Sequence, residues 1–260
     1  MEILGVDIGG SGVKASIVDT QTGKLLDDRQ RIPTPQPAKP KSIAKAVAKI
    51  VKNYNWNGSI GCGFPAVVQH GIIQTASNID KSWIGVNAEQ LFQEYTDCRT
   101  IVINDADAAG MAEMQFGAGR GNKGVVVIIT VGTGIGSAVF TEGKLFPNTE
   151  FGQIYLDGHI AEKYTADIVR KKLDLSWKKW GKRLDKYLQH LEMLVWPDLI
   201  ILGGGISKKF EKISKYLTIQ SKIVPAQLLN DAGIVGAALA AEKILSTSHF
   251  QINRQSSMST

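Results

Sequence analysis

ILGVDIGGSGVKASIVD, residues 3–19, sets two mostly apolar segments on either side of a glycine turn. An aspartate, Asp7, enters the turn and a lysine, Lys14, leaves it. ILGVDI and VKASIV have the length and composition of short buried strands. The three glycines of Gly9–Gly12 let the backbone between them approach a ligand closely. The order is not that of a P-loop, since no Gly-x4-Gly-Lys-Ser/Thr occurs anywhere in the chain.

The pattern returns. GVKASIVDTQTGKL (12–25) is echoed by GIGSAVFTEGKL (134–145), about 122 residues later, and each copy follows an apolar strand and a glycine turn. A strand–turn–strand–turn–strand unit used twice suggests two similar lobes facing each other across a cleft. Chance likeness between two glycine-rich hairpins is the competing explanation.

Around these units, strands are expected at 2–8, 13–18, 24–32, 60–64, 100–104, 125–131, 135–140 and 199–202. PTPQPAKP (33–40) reads as a connector, and Ser42 as the cap of a helix carrying Ile43, Ala46, Val47 and Ile50 at helical spacing. Further helices are expected at 106–116, through 160–195, and at 233–245. The resulting division is an N-terminal lobe at 1–110, a C-terminal lobe at 111–246 and a frayed tail at 247–260.

With 43% hydrophobic and 21% charged residues, the chain has an ordinary globular composition. No apolar run approaches the roughly 20 residues of a membrane span. MEILGVDIGG lacks the basic n-region of a secretory leader. Cys62 and Cys98 fit no metal or redox spacing, so buried thiols in a reducing cytoplasm are expected. The net charge is +6, and between Arg170 and Lys186 eight Lys/Arg face only Asp174 and Asp185. That cluster is either a polyanion surface or a solvated helix face. Nucleic acid is not favoured, because no aromatic-plus-basic motif accompanies the charge.

Four glycine-rich turns stand out: Gly9–Gly12, Gly117–Gly124, Gly132–Gly136 and Gly203–Gly205. The second holds a Gly-x-Gly-x-x-Gly match at Gly119, Gly121 and Gly124, but it precedes a strand instead of joining strand to helix, which rules out the dinucleotide reading. The other three follow apolar strands, where inward-pointing N–H groups can form nests for phosphate oxygens. Ser11 and Thr133 add hydroxyl donors. A carboxylate beside such a nest would repel phosphate unless a cation lay between them, so Asp7 reads either as a Mg²⁺ site or as a turn-stabilising residue. In IVINDADAAG (101–110), Asp107 has the position of a helix cap, whereas Asp105 sits where a cleft is expected and can serve as a general base. PNTEFG (147–152) and NIDKSWIGVN (78–87) mix short polar groups with aromatics, a composition shared by sugar pockets and surface turns.

On GVDIGGSGVKASIVD, TPQPAKP, NIDKSWIGVNA, NDADAAG, VGTGIGSAVF, PNTEFG, WPDLIILGGGIS and NDAGIVGAALAA, the chain resembles the ROK family of sugar kinases over about residues 3–245. NIDKSWIG and PNTEFG, with the short length, point to the polyphosphate-using branch. The resemblance implies an α/β, two-lobed ribonuclease H-like (actin-like ATPase) fold with a central cleft. It implies phosphorylation of glucose at O6, with inorganic polyphosphate as donor and ATP as an alternative, Mg²⁺ as cofactor, and a homodimer. By resemblance, Asp105 is the catalytic base and Asp7 belongs to the Mg²⁺ site, through water. Gly9, Gly10, Ser11, Gly12 and Lys14 form the first phosphate loop, Thr133 and Gly134 the second, Gly204 and Gly205 the third. Asn78, Asn104, Asp105 and Glu150 contact the sugar.

The family's Glu-x-Gly-His stands here as Glu150-Phe151-Gly152-Gln153, and Gln153 is a poor metal ligand without charge. DGHIAEKYTAD has no cysteine where many members carry a zinc cluster, so no zinc is expected. Ala66 replaces a frequent glycine. A long polyphosphate would follow a basic groove, with the 170–186 cluster, Lys208, Lys209 and Lys212 as candidates. Two rivals are an ATP-dependent hexose kinase of the same family and a non-catalytic sugar-sensing regulator. The regulator is disfavoured, because such members set a helix-turn-helix ahead of the first strand.

Overall fold

The computed structural model describes residues 1–257, with side chains through Ser246. The chain forms two compact units, Met1–Ala112 joined by the segment from Gly233 onward, and Glu113–Ala232.

The first unit opens with β1 (Glu2–Ile8) and β2 (Val13–Asp19), an antiparallel pair in which Asp7 lies opposite Lys14. The expected strand over 24–32 is two pieces, β3 (Lys24–Leu25) and β4 (Gln30–Ile32), both paired to β2. Helix α1 (Pro40–Asn53) begins with proline at its first turn and Lys39 as the cap residue, so Ser42 is not the cap. Proline suits that place because no N–H is needed there and its φ is already helical. The remaining elements are β5 (Ile60–Phe64), the ribbon β6 (Val68–Gln69) and β7 (Ile72–Ile73), α2 (Ala88–Thr96), β8 (Thr100–Asn104) and α3 (Asp105–Phe116). Strand order is β3-β2-β1-β5-β8, with β1, β5 and β8 parallel. Ile43, Val47 and Ile50 of α1 enter the core together with Trp83, Phe64 and Phe92. Trp83 packs edge-on to both phenylalanines, and its indole N–H reaches the Ala38 carbonyl at 2.9 Å.

The second unit repeats the plan with β9 (Val126–Val131), β10 (Ile135–Thr141) and β11 (Lys144–Phe146). After the ribbon β12 (Tyr155–Leu156) and β13 (His159–Ile160), the long helix expected through 160–195 is divided into α4 (Ala161–Thr165), α5 (Asp167–Lys172) and α6 (Trp177–Val195). The breaks fall at Ala166, in extended backbone, and at Asp174, with φ of 45°. Ser176 caps α6 by accepting from the Lys179 amide. Then come β14 (Leu199–Gly203), α7 (Phe210–Ile213) and β15 (Lys222–Pro225). The sheet order β11-β10-β9-β14-β15 has the same arrangement as the first. The sequence echo is therefore a duplicated topology, down to the turns: Gly23 and Gly143 both take positive φ, at 71° and 72°, just before Lys24 and Lys144. Right-handed φ is forbidden to neither, but the left-handed region costs a residue with Cβ about 1 kcal/mol or more.

The expected division into 1–110 and 111–246 needs one correction. The last helix, α8 (Ala232–Ser257), belongs to the first unit and not to the second. The reason is steric. Gly5 and Gly61 are register partners on β1 and β5. A Cβ on Gly5 would lie 2.1 Å from the Ile234 carbonyl oxygen, and one on Gly61 would lie 1.9 Å from that of Ala237. Gly236 of α8 meets the Ala108 carbonyl of α3 in the same way, at 1.6 Å. Backbone lies on backbone, which side chains would prevent. Of the expected tail 247–260, the side chains and the whole of 258–260 lie outside the described residues; α8 is traced to Ser257.

Gly61→Ala therefore lowers stability by about 1–3 kcal/mol, the cost of overpacking a filled contact. Urea denaturation of the variant checks this; an unchanged midpoint would mean that α8 is free to move aside.

Candidate functional site

In the first unit the expected site residues collect at the carboxyl ends of β1, β5 and β8. Asp7 nearly ends β1, and its Oδ2 accepts from Lys14 Nζ at 2.9 Å. Both side chains are about a fifth to a quarter exposed (18% and 27%), so the pair is only partly shielded from water. The start of α8 closes on the carboxylate: a Cβ on Gly233 would lie 3.0 Å from Asp7 Cγ. The turn Gly9–Gly12 is held by Gly9 N–H donating to the Gly12 carbonyl at 3.1 Å and by the Thr34 hydroxyl on the Gly9 carbonyl. Gly10 and Ser11 are exposed at its tip.

At the end of β8, Asn104 is buried and committed locally. Its Oδ1 accepts from the amides of Ala106 (2.9 Å) and Asp107 (3.0 Å), and its Nδ2 donates to the Ala66 carbonyl (3.1 Å). Asn104, not Asp107, thus caps α3, and the helix starts at Asp105. Asp107 is buried in the first turn. Asp105 is half-buried, with Oδ1 on the Ala106 amide at 2.8 Å, at a helix end where the backbone dipole favours negative charge. Gly63 of β5 separates the two acids: it is the register partner of Asp7, and its missing Cβ would lie 3.6 Å from the Asp105 Cα. Asp7 and Asp105 are therefore two strands apart on one sheet edge, a spacing of about 10 Å.

Most of NIDKSWIGVN is scaffold. Trp83 is core, Asp80 Oδ1 accepts from the Ser82 amide and hydroxyl, and Asn87 caps α2 through the Gln90 amide. Asn78, the residue expected to reach the sugar, is exposed in the loop ahead of that turn.

In the second unit two glycine turns are neighbours. Gly132–Gly134 follows β9, closed by Gly132 N–H on the Gly134 carbonyl at 2.9 Å, and Thr133 is exposed at its tip. Gly203–Gly205 follows β14, the parallel partner of β9. Gly204 has φ of 74°, and a Cβ there would meet the Val131 carbonyl at 2.6 Å, so glycine is required twice over. Gly204 and Gly205 are exposed, and the chain continues into a 3₁₀ segment through Lys209 instead of an α-helix. The remaining glycine turn is structural: buried Glu113 binds the Ala118, Gln227 and Leu228 amides, which organises Gly117–Gly119.

PNTEFG is pinned to β10. The Ser137 hydroxyl reaches the Thr149 carbonyl at 2.8 Å and accepts from the Phe151 amide at 3.0 Å, while a Cβ on Gly152 would meet the Ile135 carbonyl at 2.3 Å. Glu150 is held half-buried by this clamp. Burial, and then the charge of Glu162, raise its carboxyl above the ordinary value of 4.5. Glu162 itself is buried, with Oε2 on the Ile135 amide at 3.0 Å and Oε1 near Lys163 Nζ at 3.3 Å.

Residues 3–165 match the model of the ROK family. The chain belongs to the ROK family. It is 48% identical over 246 residues to the polyphosphate glucokinase of Mycobacterium tuberculosis (strain ATCC 25618 / H37Rv), covering 94% of this chain and 92% of that one. The crystal structure of the inorganic polyphosphate/ATP-glucomannokinase from Arthrobacter sp. strain KM superposes with a TM-score of 0.90 at 46% identity, over 93% of this chain and 98% of that one. A ROK family glucokinase from Streptomyces griseus, solved with glucose and AMPPNP, has a TM-score of 0.82 at 23% identity, over 94% and 100% of the two chains, and that likeness carries the fold alone. The fold is thus the α/β fold of the actin-like ATPases, with a ribonuclease H-like sheet in each unit.

Two residues of this ROK chain escaped sequence reasoning. Arg31 on β4 pairs in register with Lys14, and its guanidinium lies where a Gly12 Cβ would be, 2.6 Å from Nε, with Nη2 donating to the Ser11 carbonyl at 2.8 Å. Glu162 faces Glu150 electrostatically. Neither lies in a motif; strand pairing and a shared burial bring them in.

Glu150 carries a pH signature. Its folded-state carboxyl holds its proton to higher pH than the unfolded one, so in the window above about 4.5 the folded chain binds more protons. Stability then falls as pH rises through that window. Glu150→Gln removes the effect, and the variant gains on the wild type as pH rises from about 4 to 8 in urea titrations. A constant difference across that range would mean that Glu150 is fully hydrated.

Proposed function

We propose that this chain transfers a phosphoryl group to the 6-hydroxyl of glucose, with inorganic polyphosphate as preferred donor and ATP as a second donor. The observation that carries the proposal is the near full-length likeness, at 46–48% identity, to proteins named for polyphosphate-dependent glucose or glucose/mannose phosphorylation. The half-buried Asp105 at the carboxyl edge of a sheet supports it chemically.

In the proposed step, the glucose O6 attacks the terminal phosphorus while its proton passes to the Asp105 carboxylate. The bond between that phosphorus and the bridging oxygen breaks, and the electron pair leaves with the shortened polyphosphate, or with ADP when ATP is the donor. Glucose 6-phosphate is the product. Such proton removal contributes about 10²–10⁴-fold to rate. Asn104, Asn78 and Glu150 are assigned to the sugar hydroxyls. In that scheme Asn104 acts first by fixing Asp105, since its oxygen is spent on the α3 amides. The turns bearing Gly9, Gly10, Ser11 and Gly12, Thr133 and Gly134, and Gly204 and Gly205 are assigned to donor phosphates, with Lys14 offsetting charge.

Phosphotransfer in this family works with a divalent cation. Among the described residues no group of three or more His, Cys, Asp or Glu is assembled to hold a metal. A single partly exposed carboxylate such as Asp7 fits Mg²⁺, which keeps several waters and needs only one or two carboxylates. When bound, the cation supplies neutralisation of charge on the phosphoryl oxygens. Among the described residues no helix is long and apolar enough to cross a membrane. A cytoplasmic homodimer completes the proposal.

Asp105→Asn should lower kcat with either donor by about 10²–10⁴-fold with little change in folding, read by coupled glucose 6-phosphate formation and thermal melting. Near wild-type turnover would remove Asp105 from the chemistry. Comparing pure polyphosphate with pure ATP in the same assay separates the preferred-donor proposal from an ATP-dependent hexose kinase.

A further inference from the structure

The basic region of the second unit divides by the contacts and exposure of its cations. Lys186 pairs with Asp157, and Arg183 lies over the Tyr164 ring at 4.1 Å while bonding its carbonyl. Lys178, Lys179 and Lys182 are exposed at helical spacing on α6, the arrangement of a solvated face. A further set begins at the third glycine turn. Lys208 and Lys209 are exposed at the end of the 3₁₀ segment that leaves Gly204. Lys212 follows in α7, and its Nζ lies 5.6 Å from the centre of the Trp177 ring. The Arg170 guanidinium lies over the same ring at 4.2 Å.

Trp177 is therefore a hub that gathers cations from α5 and α7. It is held in place itself, edge-on at 6.0 Å to buried Trp180, whose indole N–H is fixed on the Thr165 carbonyl at 2.9 Å. Arg170 is aimed by Asp167, at 2.7 Å, which also takes Lys171. Asp167 is thus balanced by two cations, and Glu211 is the acid left among the lysines of this strip. A ring-held guanidinium loses little freedom on meeting a phosphate and offers a fork of donors.

We propose that Lys208 and Lys209, which follow the third glycine turn, together with Lys212 and Arg170 at the Trp177 ring, bind the trailing, non-reacting part of a long inorganic polyphosphate whose end occupies the glycine turns. This rests on the polyphosphate-donor reading above. A linear polyanion releases counterions from each cation contact, so such a track gains with chain length and weakens with salt. ATP and tripolyphosphate carry only three phosphoryl units and so engage fewer of these cations than a long chain does.

The test compares two triple variants that remove the same charge: Lys208→Gln/Lys209→Gln/Lys212→Gln on the strip, and Lys178→Gln/Lys179→Gln/Lys182→Gln on the solvated face. The measured quantity is the ratio of kcat/KM for long polyphosphate to that for tripolyphosphate. The strip variant should lower this ratio about tenfold, and the face variant by less than about twofold, from modest energies per exposed charge. The slope of log KM for long chains against log salt should become shallower by roughly two in the strip variant. An unchanged ratio, or an equal fall in both variants, overturns the track. Lys212→Gln alone, with a matched thermal melt, guards against misfolding of the triple variant. If the wild-type protein forms no glucose 6-phosphate from any polyphosphate, the donor reading fails instead. Direct binding of long polyphosphate, read by indole fluorescence, then judges the track alone: binding lost in the strip variant supports it, and no binding by the wild type overturns it.

Discussion

Backbone-to-backbone contact between α8 and the strands beneath it is the constraint on which the first unit depends. Gly5 and Gly61 lie side by side on β1 and β5, and neither tolerates a Cβ under the carbonyls of Ile234 and Ala237. Gly236 extends the contact to α3. Once α8 is seated there, Gly233 at its start meets the Asp7 carboxylate, so the same contact that completes the core also sets the wall beside the acid. A larger residue at any of these glycines would move the helix, and with it the surroundings of Asp7.

The second unit has the same strand order but spends its strand ends differently. In the first sheet the carboxyl ends of β1 and β8 carry Asp7, with the Gly9–Gly12 turn after it, and Asp105, whereas in the second the ends of β9 and β14 carry two glycine turns in contact and no acid. Open α/β sheets characteristically bind ligands just outside the carboxyl ends of their strands. One duplicated frame thus places carboxylates at the strand ends of the first sheet and a pair of touching glycine turns at those of the second.

Several polar motifs turned out to hold the scaffold. Asp80 and Asn87 cap turns, Asn104 caps α3, and Ser137 ties PNTEFG to β10. Short polar side chains bond equally well to backbone amides and to sugar hydroxyls, so composition does not separate the two uses. The asparagine before Asp105 shows the link between them: its two bonds to the α3 amides fix where the helix begins, and so where Asp105 points its carboxylate. Glu150 shows another, since the clamp that buries it also raises its proton affinity beside Glu162.

The chain by itself determined the duplicated hairpins, the three glycine turns that follow apolar strands and the two acids at strand ends, because alternating apolar runs, glycine and flanking charge are local signals. It also marked the ROK resemblance. Only the tertiary structure decided that α8 returns to the first sheet, that Asn104 and not Asp107 caps α3, and that Arg31 and Glu162 stand beside the expected site residues. It alone sorted the basic region into paired, solvated and Trp177-centred cations. Each of these is a contact between segments distant in sequence, settled by steric fit and burial, for which no residue spacing carries a signal.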